Sequence, residues 1–183
     1  MGAVEALAVA SGLAYLWLAI LQRRACWLAG GASSLLFIWV FATSAFYLQA
    51  LLQVVYVAMA CYGWWQWRAA DGQRQLPVTR WPLASHLKSI LGVLLMSWPL
   101  GWVMNEWSDS VAPWFDAATM LASLLATWLT ATKHLESWLW WIVVDLVVAA
   151  MVVLQALWLT AGLYACYSLL AAAGYRSWRA SLK

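Results

Sequence analysis

Seven apolar runs of membrane-spanning length leave this chain few folds to choose from. They lie at roughly 3–21, 26–43, 46–67, 86–104, 113–132, 137–153 and 156–175, and a helix needs about 17–25 residues to cross the hydrocarbon of a bilayer. Helix is the form required, because lipid offers no partner to a bare backbone N–H or C=O. Of the 183 residues, 66% are hydrophobic and only 9% are charged, more apolar surface than a water-soluble domain can hide. The expectation is an all-α polytopic membrane protein with seven transmembrane helices. The first residues carry no Lys or Arg and so lack the basic start of a signal peptide, which keeps the first run as a true span. Two joints are short, Ala45 and Leu154-Gln155, and predict tight antiparallel hairpins. The longest break runs from Ala69 to about Ser85 and contains Asp71, Gly72, Pro77 and Pro82.

Charge gives the orientation. All ten Lys and Arg fall in the loops after runs one, three and five or in the C-terminal tail: Arg23, Arg24, Arg68, Arg74, Arg80, Lys88, Lys133, Arg176, Arg179 and Lys183. The opposite side holds Glu5, Glu106, Asp109 and Asp116 and no basic residue. The positive-inside rule then places the N-terminus outside and the C-terminus in the cytoplasm. A net charge of +3, dispersed over loops, makes no footprint for nucleic acid. Cys26, Cys61 and Cys166 stand apart in apolar runs and read as small core residues, with neither disulfide nor metal spacing.

Seven spans also permit an internal repeat. If runs one to three and five to seven form the same unit, the fourth must cross once to restore direction, which gives two parallel repeats about an axis along the membrane normal. Trp17-Leu18 recurs as Trp128-Leu129 and Trp67-Arg68-Ala69 as Trp178-Arg179-Ala180, both 111 residues on. Leu48-Gln49-Ala50-Leu51 recurs as Leu154-Gln155-Ala156-Leu157, 106 residues on. The chain divides accordingly into 1–68, a loop and linker helix over 69–104, and 105–183.

Polar residues aligned on one face of an apolar helix point into a bundle, since lipid penalises them. The fifth span carries Asp116, Thr119, Ser123, Thr127 and Thr130; the third carries Gln49, Gln53 and Tyr56, continued by Ala60, Gly63 and Trp67; the seventh carries Thr160, Tyr164 and Tyr167. In the sixth, Trp138, Trp141 and Asp145 fall within one narrow arc. Interhelical hydrogen bonding explains any single hydroxyl, at about 0.6 kcal/mol each. Together with aromatics in register, the stripes suit a lined path. Asp145 lies deep in the sixth span, where a carboxylate costs roughly 2.5–3.5 kcal/mol; it is either satisfied by neighbouring hydroxyls and indoles or meets a polar or cationic solute.

Trp64 and Trp67, like Trp138 and Trp141, are three apart and share a helical face. Each pair is open to two readings, an interfacial aromatic belt or a paired indole wall. Gly63 and Gly174 are either sites of close helix contact or simple helix ends. His86 and His134 both sit at the basic rim, and no H-E-x-x-H, G-x-S-x-G or Walker motif occurs. No catalytic, metal or cofactor site is expected, so passage of a solute is favoured over chemistry.

These residues resemble the PnuC family of vitamin transporters over roughly Tyr15 to Trp178. The most specific piece is D-x6-S-x9-K-x2-E-x-W-x2-W-x3-D, here Asp116, Ser123, Lys133, Glu136, Trp138, Trp141 and Asp145. Tyr62-Gly63-Trp64 with Trp67, and Gly174-Tyr175 with Trp178, also match. The resemblance implies a SWEET-like bundle of two three-helix units and a linker helix, a homotrimer with one path per protomer, and the bacterial cytoplasmic membrane. It implies facilitated diffusion of nicotinamide riboside, trapped inside by phosphorylation for NAD biosynthesis; sister groups carry thiamin or riboflavin. Thr127 stands where the family commonly has Gln, and Ser137 where it commonly has Asn.

A pyridinium riboside is a flat cation with a carboxamide and hydroxyls, which indole faces can stack on at about 0.5–2 kcal/mol. The candidate binding residues are Gln49, Gln53, Tyr56, Trp64, Trp67, Ser123, Thr127, Trp138, Trp141, Asp145 and Tyr164. Thiamin, also a flat cation, fits nearly as well; uncharged riboflavin fits less well. A vitamin-binding subunit of an ATP-driven importer is the alternative to a carrier.

Overall fold

The computed structural model describes residues 2–43, 47–68, 76–108 and 110–182. The described residues form seven helices: α1 (Gly2–Ile20), α2 (Cys26–Thr43), α3 (Tyr47–Gln66), α4 (Leu83–Trp107), α5 (Pro113–Ala131), α6 (Ser137–Leu154) and α7 (Trp158–Ala180). Among the described residues there is no strand, only one isolated parallel bridge between Thr79 and His134. The α2–α3 joint at Ala45, Asp71 and Gly72 of the long loop, Arg74 and Asp109 lie outside the described residues.

The repeat is written in the helix boundaries. α5 begins and ends 111 residues after α1, α6 begins and ends 111 residues after α2, and α7 begins 111 residues after α3. The elbows that follow α1 and α5 share one hydrogen-bond pattern. Arg23 N donates to Leu18 O as His134 N does to Leu129 O, and Gln22 N donates to Ala19 O as Lys133 N does to Thr130 O. Gln22 and Lys133 each hold φ at 54°, in the left-handed region that a side chain makes costly. The shorter match at 106 residues is a chance likeness: Gln49 lies within α3, whereas Gln155 and Ala156 form the turn between α6 and α7.

By contacts the chain forms two compact units. The first comprises Met1–Val78 with Thr130–Lys133 and Arg176–Lys183, the second Thr79–Leu129 with His134–Tyr175. In the first, α2 packs on both α1 and α3. Close approach is made possible at Gly63, where an added Cβ would fall 2.2 Å from the Trp27 ring. In the second unit the same device recurs 111 residues on, with Gly174 under Trp138 at 2.6 Å, and Gly101 makes room for Trp114 in a similar way. Real Cβ atoms do not approach so closely, so these glycines are where indoles cross a helix backbone.

The outer surface is greasy, as a bilayer solvent demands. Leu91, Leu94, Leu95, Trp98 and Trp102 on α4 are exposed, as are Trp17, Trp65 and Trp158 near helix ends. On length and composition α1, α2, α4 and α6 suffice to cross a membrane. α3, α5 and α7 are of spanning length, with 20, 19 and 23 residues, and carry the polar stripes. α4 runs unbroken through Pro99.

A short strap leads into α4. Thr79 O accepts from Leu135 N at 2.9 Å, the Thr79 hydroxyl meets His134 Nδ1 at 3.0 Å, and Trp81 N donates to Glu136 Oε2 at 2.8 Å. The Trp81 ring stands edge-on to His86, 4.8 Å away. Trp140 Nε1 donates to His86 Nδ1 at 3.1 Å. Burial holds the His134 imidazole below its ordinary range, with His86 adding to that shift and the Glu136 carboxylate opposing it.

Candidate functional site

The stripes of α3 and α7 prove to be one stripe drawn twice. Gln49, Gln53 and Tyr56 are followed 111 residues on by Thr160, Tyr164 and Tyr167, then Gly63 by Gly174 and Trp67 by Trp178. The same face of the third helix in each repeat is therefore polar in its first half and glycine-plus-indole at its basic end. Gln49 is exposed, Gln53 and Tyr56 are half-buried.

Trp64 and Trp67 have different surroundings. The Arg24 guanidinium lies 3.6 Å from the centre of the Trp64 ring, and Arg24 Nε donates to Trp64 O at 2.8 Å. Trp67 is only 4% exposed. Its Nε1 donates to Ala131 O at 3.0 Å, Trp27 meets it edge-on at 5.6 Å, and Lys133 Nζ stands 4.5 Å over the ring. The chain's own cations thus occupy a face of each indole. Trp67 is part of a core, and the belt is made instead by Trp65, which points outward.

In the second unit Ser123 and Thr127 are buried on α5. Each donates its hydroxyl to its own helix, Ser123 to Met120 O and Thr127 to Ser123 O, both at 2.8 Å. Spending the donor locally leaves an oxygen that can still accept. Asp116, at the head of the stripe, is exposed and accepts from the Ser110 hydroxyl, so it ties the preceding loop to the first turn of α5 rather than lining the interior.

The sixth and seventh helices bring the sharpest group together. Asp145 is 7% exposed and lies within electrostatic reach of Tyr164 and Tyr167, whose rings meet edge-on at 5.9 Å. One and two turns before it on α6 come Trp141, half-buried, and Trp138, fully buried over Gly174. A carboxylate, two phenols and an indole on facing stretches of α6 and α7 can bind a flat cation with hydroxyl groups. Among the described residues no group of His, Cys, Asp and Glu is placed to hold a metal ion.

Two buried hydroxyls on the same helices, Ser137 of α6 and Ser168 of α7, have no hydrogen-bond partner, and neither has the Trp27 N–H in the first unit. Ser137, fully buried at the start of α6, is the position where the sequence resemblance implies a longer amide. Gln22, Trp27, Lys133 and Trp178 lie outside the candidate binding residues, yet with Trp67 they form one bonded cluster in the first unit. The 111-residue offset singles them out: Gln22 pairs with Lys133, Trp27 with Trp138 and Trp67 with Trp178.

Comparison with known proteins agrees over nearly the whole chain. A family model described as nicotinamide mononucleotide transporter matches residues 2–180. The nicotinamide riboside transporter PnuC of Escherichia coli (strain K12) is 25% identical over 201 residues, covering 96% of this chain and 84% of that protein. The riboflavin/roseoflavin transporter RibM of Streptomyces davaonensis is 28% identical over 131 residues, 69% of this chain and 61% of its own. The crystal structure of the vitamin B3 transporter PnuC shares the fold, with a TM-score of 0.74 at 18% identity over 97% of this chain and 80% of that one.

Proposed function

This chain belongs to the nicotinamide mononucleotide transporter family, and from that membership we propose that it carries nicotinamide riboside across the bacterial cytoplasmic membrane by facilitated diffusion. The observation that carries the choice of solute is Asp145, a carboxylate kept almost out of reach of solvent beside Tyr164 and Tyr167 and in line with Trp141. An intramembrane carboxylate is costly unless it meets a partner, and a pyridinium riboside supplies a positive ring and hydroxyl donors at once. Gln53 and Tyr56 are the amide and phenol at the equivalent places of the first repeat. Phosphorylation inside the cell then traps the solute.

In this reading the N-terminus faces outward and the basic loops face the cytoplasm, as the placement of every Lys and Arg favours. Residues 1–68 and 105–183 act as the two three-helix units and 69–104 as loop and linker, three protomers assemble with one path each, and the chain performs no chemistry on its cargo. The likeness to RibM supports riboflavin as a second candidate, but an uncharged isoalloxazine brings Asp145 no positive charge. Thiamin, a flat cation, shares the logic of the first.

Proteoliposomes bearing the protein should exchange labelled nicotinamide riboside with no proton or sodium gradient imposed. Strict dependence on a gradient would remove uniport. Tight binding without flux would instead mark a capture subunit of an ATP-driven importer. Tryptophan quenching by nicotinamide riboside, thiamin and riboflavin in parallel ranks the three solutes.

A further inference from the structure

The basic ends of α1, α3, α5 and α7 are tied crosswise. The third helix of each repeat donates an indole N–H to the end of the other repeat's first helix: Trp67 Nε1 to Ala131 O and Trp178 Nε1 to Ala19 O, both at 3.0 Å. The two rings lie 5.9 Å apart. Ser177 Oγ adds a bond to Ile20 O at 3.1 Å. Over this crossing sits Lys133, 2% exposed, whose Nζ stands above the Trp67 ring at 4.5 Å and donates to Gln22 Oε1 at 3.3 Å. Gln22 in turn donates through Nε2 to Ser181 Oγ at 2.9 Å.

Two features make this more than packing. Gln22 and Lys133 occupy equivalent elbow positions in left-handed backbone, so the chain accepts strain to aim both side chains at one point. And an ammonium buried against an amide and an aromatic face is held by weak, reversible contacts. A permanent tie would be better served by leucine.

We propose that Gln22, Trp67, Lys133 and Trp178 form a latch between the repeats that is closed in this structure and parts when solute leaves on the side of the basic loops. A rocking motion of one repeat against the other must break the reciprocal indole–carbonyl bonds, and Lys133 sets how readily they part. The latch rests on the transport reading for its purpose, and its test can be separated from that reading.

Cys26 is the reporter. It is 0% exposed and lies within electrostatic reach of Lys133. Cys61 and Cys166, both exposed, are changed to serine, and the protein in proteoliposomes is treated with a membrane-impermeant maleimide and no solute. Lys133→Met should speed modification of Cys26 roughly tenfold, the scale of a lost desolvated cation–π contact, and Lys133→Arg should bring the rate back toward the parent. Trp178→Phe, which removes one N–H and keeps a ring, should act in the same direction and serves if Lys133→Met does not fold. Gly101→Ala, a crowding change in the second unit, should leave Cys26 alone. Parent-like rates in Lys133→Met and Trp178→Phe, or an equal rise in Gly101→Ala, overturn the latch. A labelling response in protein that shows no flux would sink the transport reading and leave the latch standing.

Discussion

The elbow after α1 and the elbow after α5 have one backbone and two chemistries. Their turns match bond for bond, yet where the first has Gln22 and Arg23 the second has Lys133 and His134. The difference continues into the helix that follows. Trp141 and Asp145 of α6 correspond, 111 residues back, to Gly30 and Ser34 of α2, and the room at Gly30 is taken by Tyr15. Duplication thus supplied two equal frames, and divergence placed the charge and the free indole in only one. A pseudo-symmetric carrier does not need a pseudo-symmetric binding site. It needs frames that move alike.

The largest effect expected tests the frames. Gly63→Ala and Gly174→Ala each force an indole aside, and overpacking of this kind costs about 1–3 kcal/mol. Thermal unfolding in detergent should show matched losses for the two, whereas Gly92→Ala, with open space around it, should be neutral or gain up to roughly 1 kcal/mol of helix propensity. A loss at one glycine only would break the equivalence.

Next in size is a test of the divergence. Trp141→Ala should weaken nicotinamide riboside binding by the 0.5–2 kcal/mol of a cation–π contact, or about 2- to 30-fold. Gly30→Trp cannot create the missing wall in the first repeat, because its Cβ already falls 2.9 Å from the Tyr15 ring. Isothermal titration or tryptophan quenching decides, and an unchanged affinity in Trp141→Ala returns that indole to the lipid belt.

Smaller again are the paired hydrogen bonds. Trp67→Phe and Trp178→Phe each remove one buried N–H donor and should lower stability by about 0.6 kcal/mol, and not beyond roughly 1.7. Unequal losses would say that the crossing is tighter on one side.

The mildest effect belongs to the second elbow alone. Since burial depresses the His134 pKa, the unfolded chain takes up a proton there before the folded one does. Stability should therefore be whole above the ordinary histidine value of about 6.5 and fall as the pH drops through it toward the depressed folded value. His134→Gln, which can keep the bond to Thr79, should flatten that slope.

Much of this was legible in the residues. The apolar runs give every helix to within a few residues, because lipid leaves no other way to satisfy a backbone. The α5 stripe turns inward from Ser123 through Thr127 to Thr130, whereas Asp116 at its head and Gln49 at the head of the α3 stripe are exposed. The repeat shows faintly in Trp67 and Trp178, and becomes plain only when Gly63 with Gly174 and Trp27 with Trp138 join the register. What the letters do not carry is which indoles are core. Trp65 and Trp67 are equally greasy, and only the packing of Trp27 and the crossing with Trp178 separate the one that faces lipid from the one that does not. Lys133 was counted with the loop charges, since nothing in its neighbours discloses that the elbow turns it inward.

Among the described residues three non-glycine ones hold positive φ: Gln22, Lys133 and Ala156. For anyone engineering a hardier version, they are not interchangeable. Glycine at 156 would relax the α6–α7 hairpin and surrender only a methyl group, so a heat-selection screen should accept it. At 22 and 133 the same relief of about 1–2 kcal/mol would delete the amide and the ammonium that meet there. A screen on survival and a screen on uptake would then part company at those two codons, and that divergence would map the moving joint without a second structure.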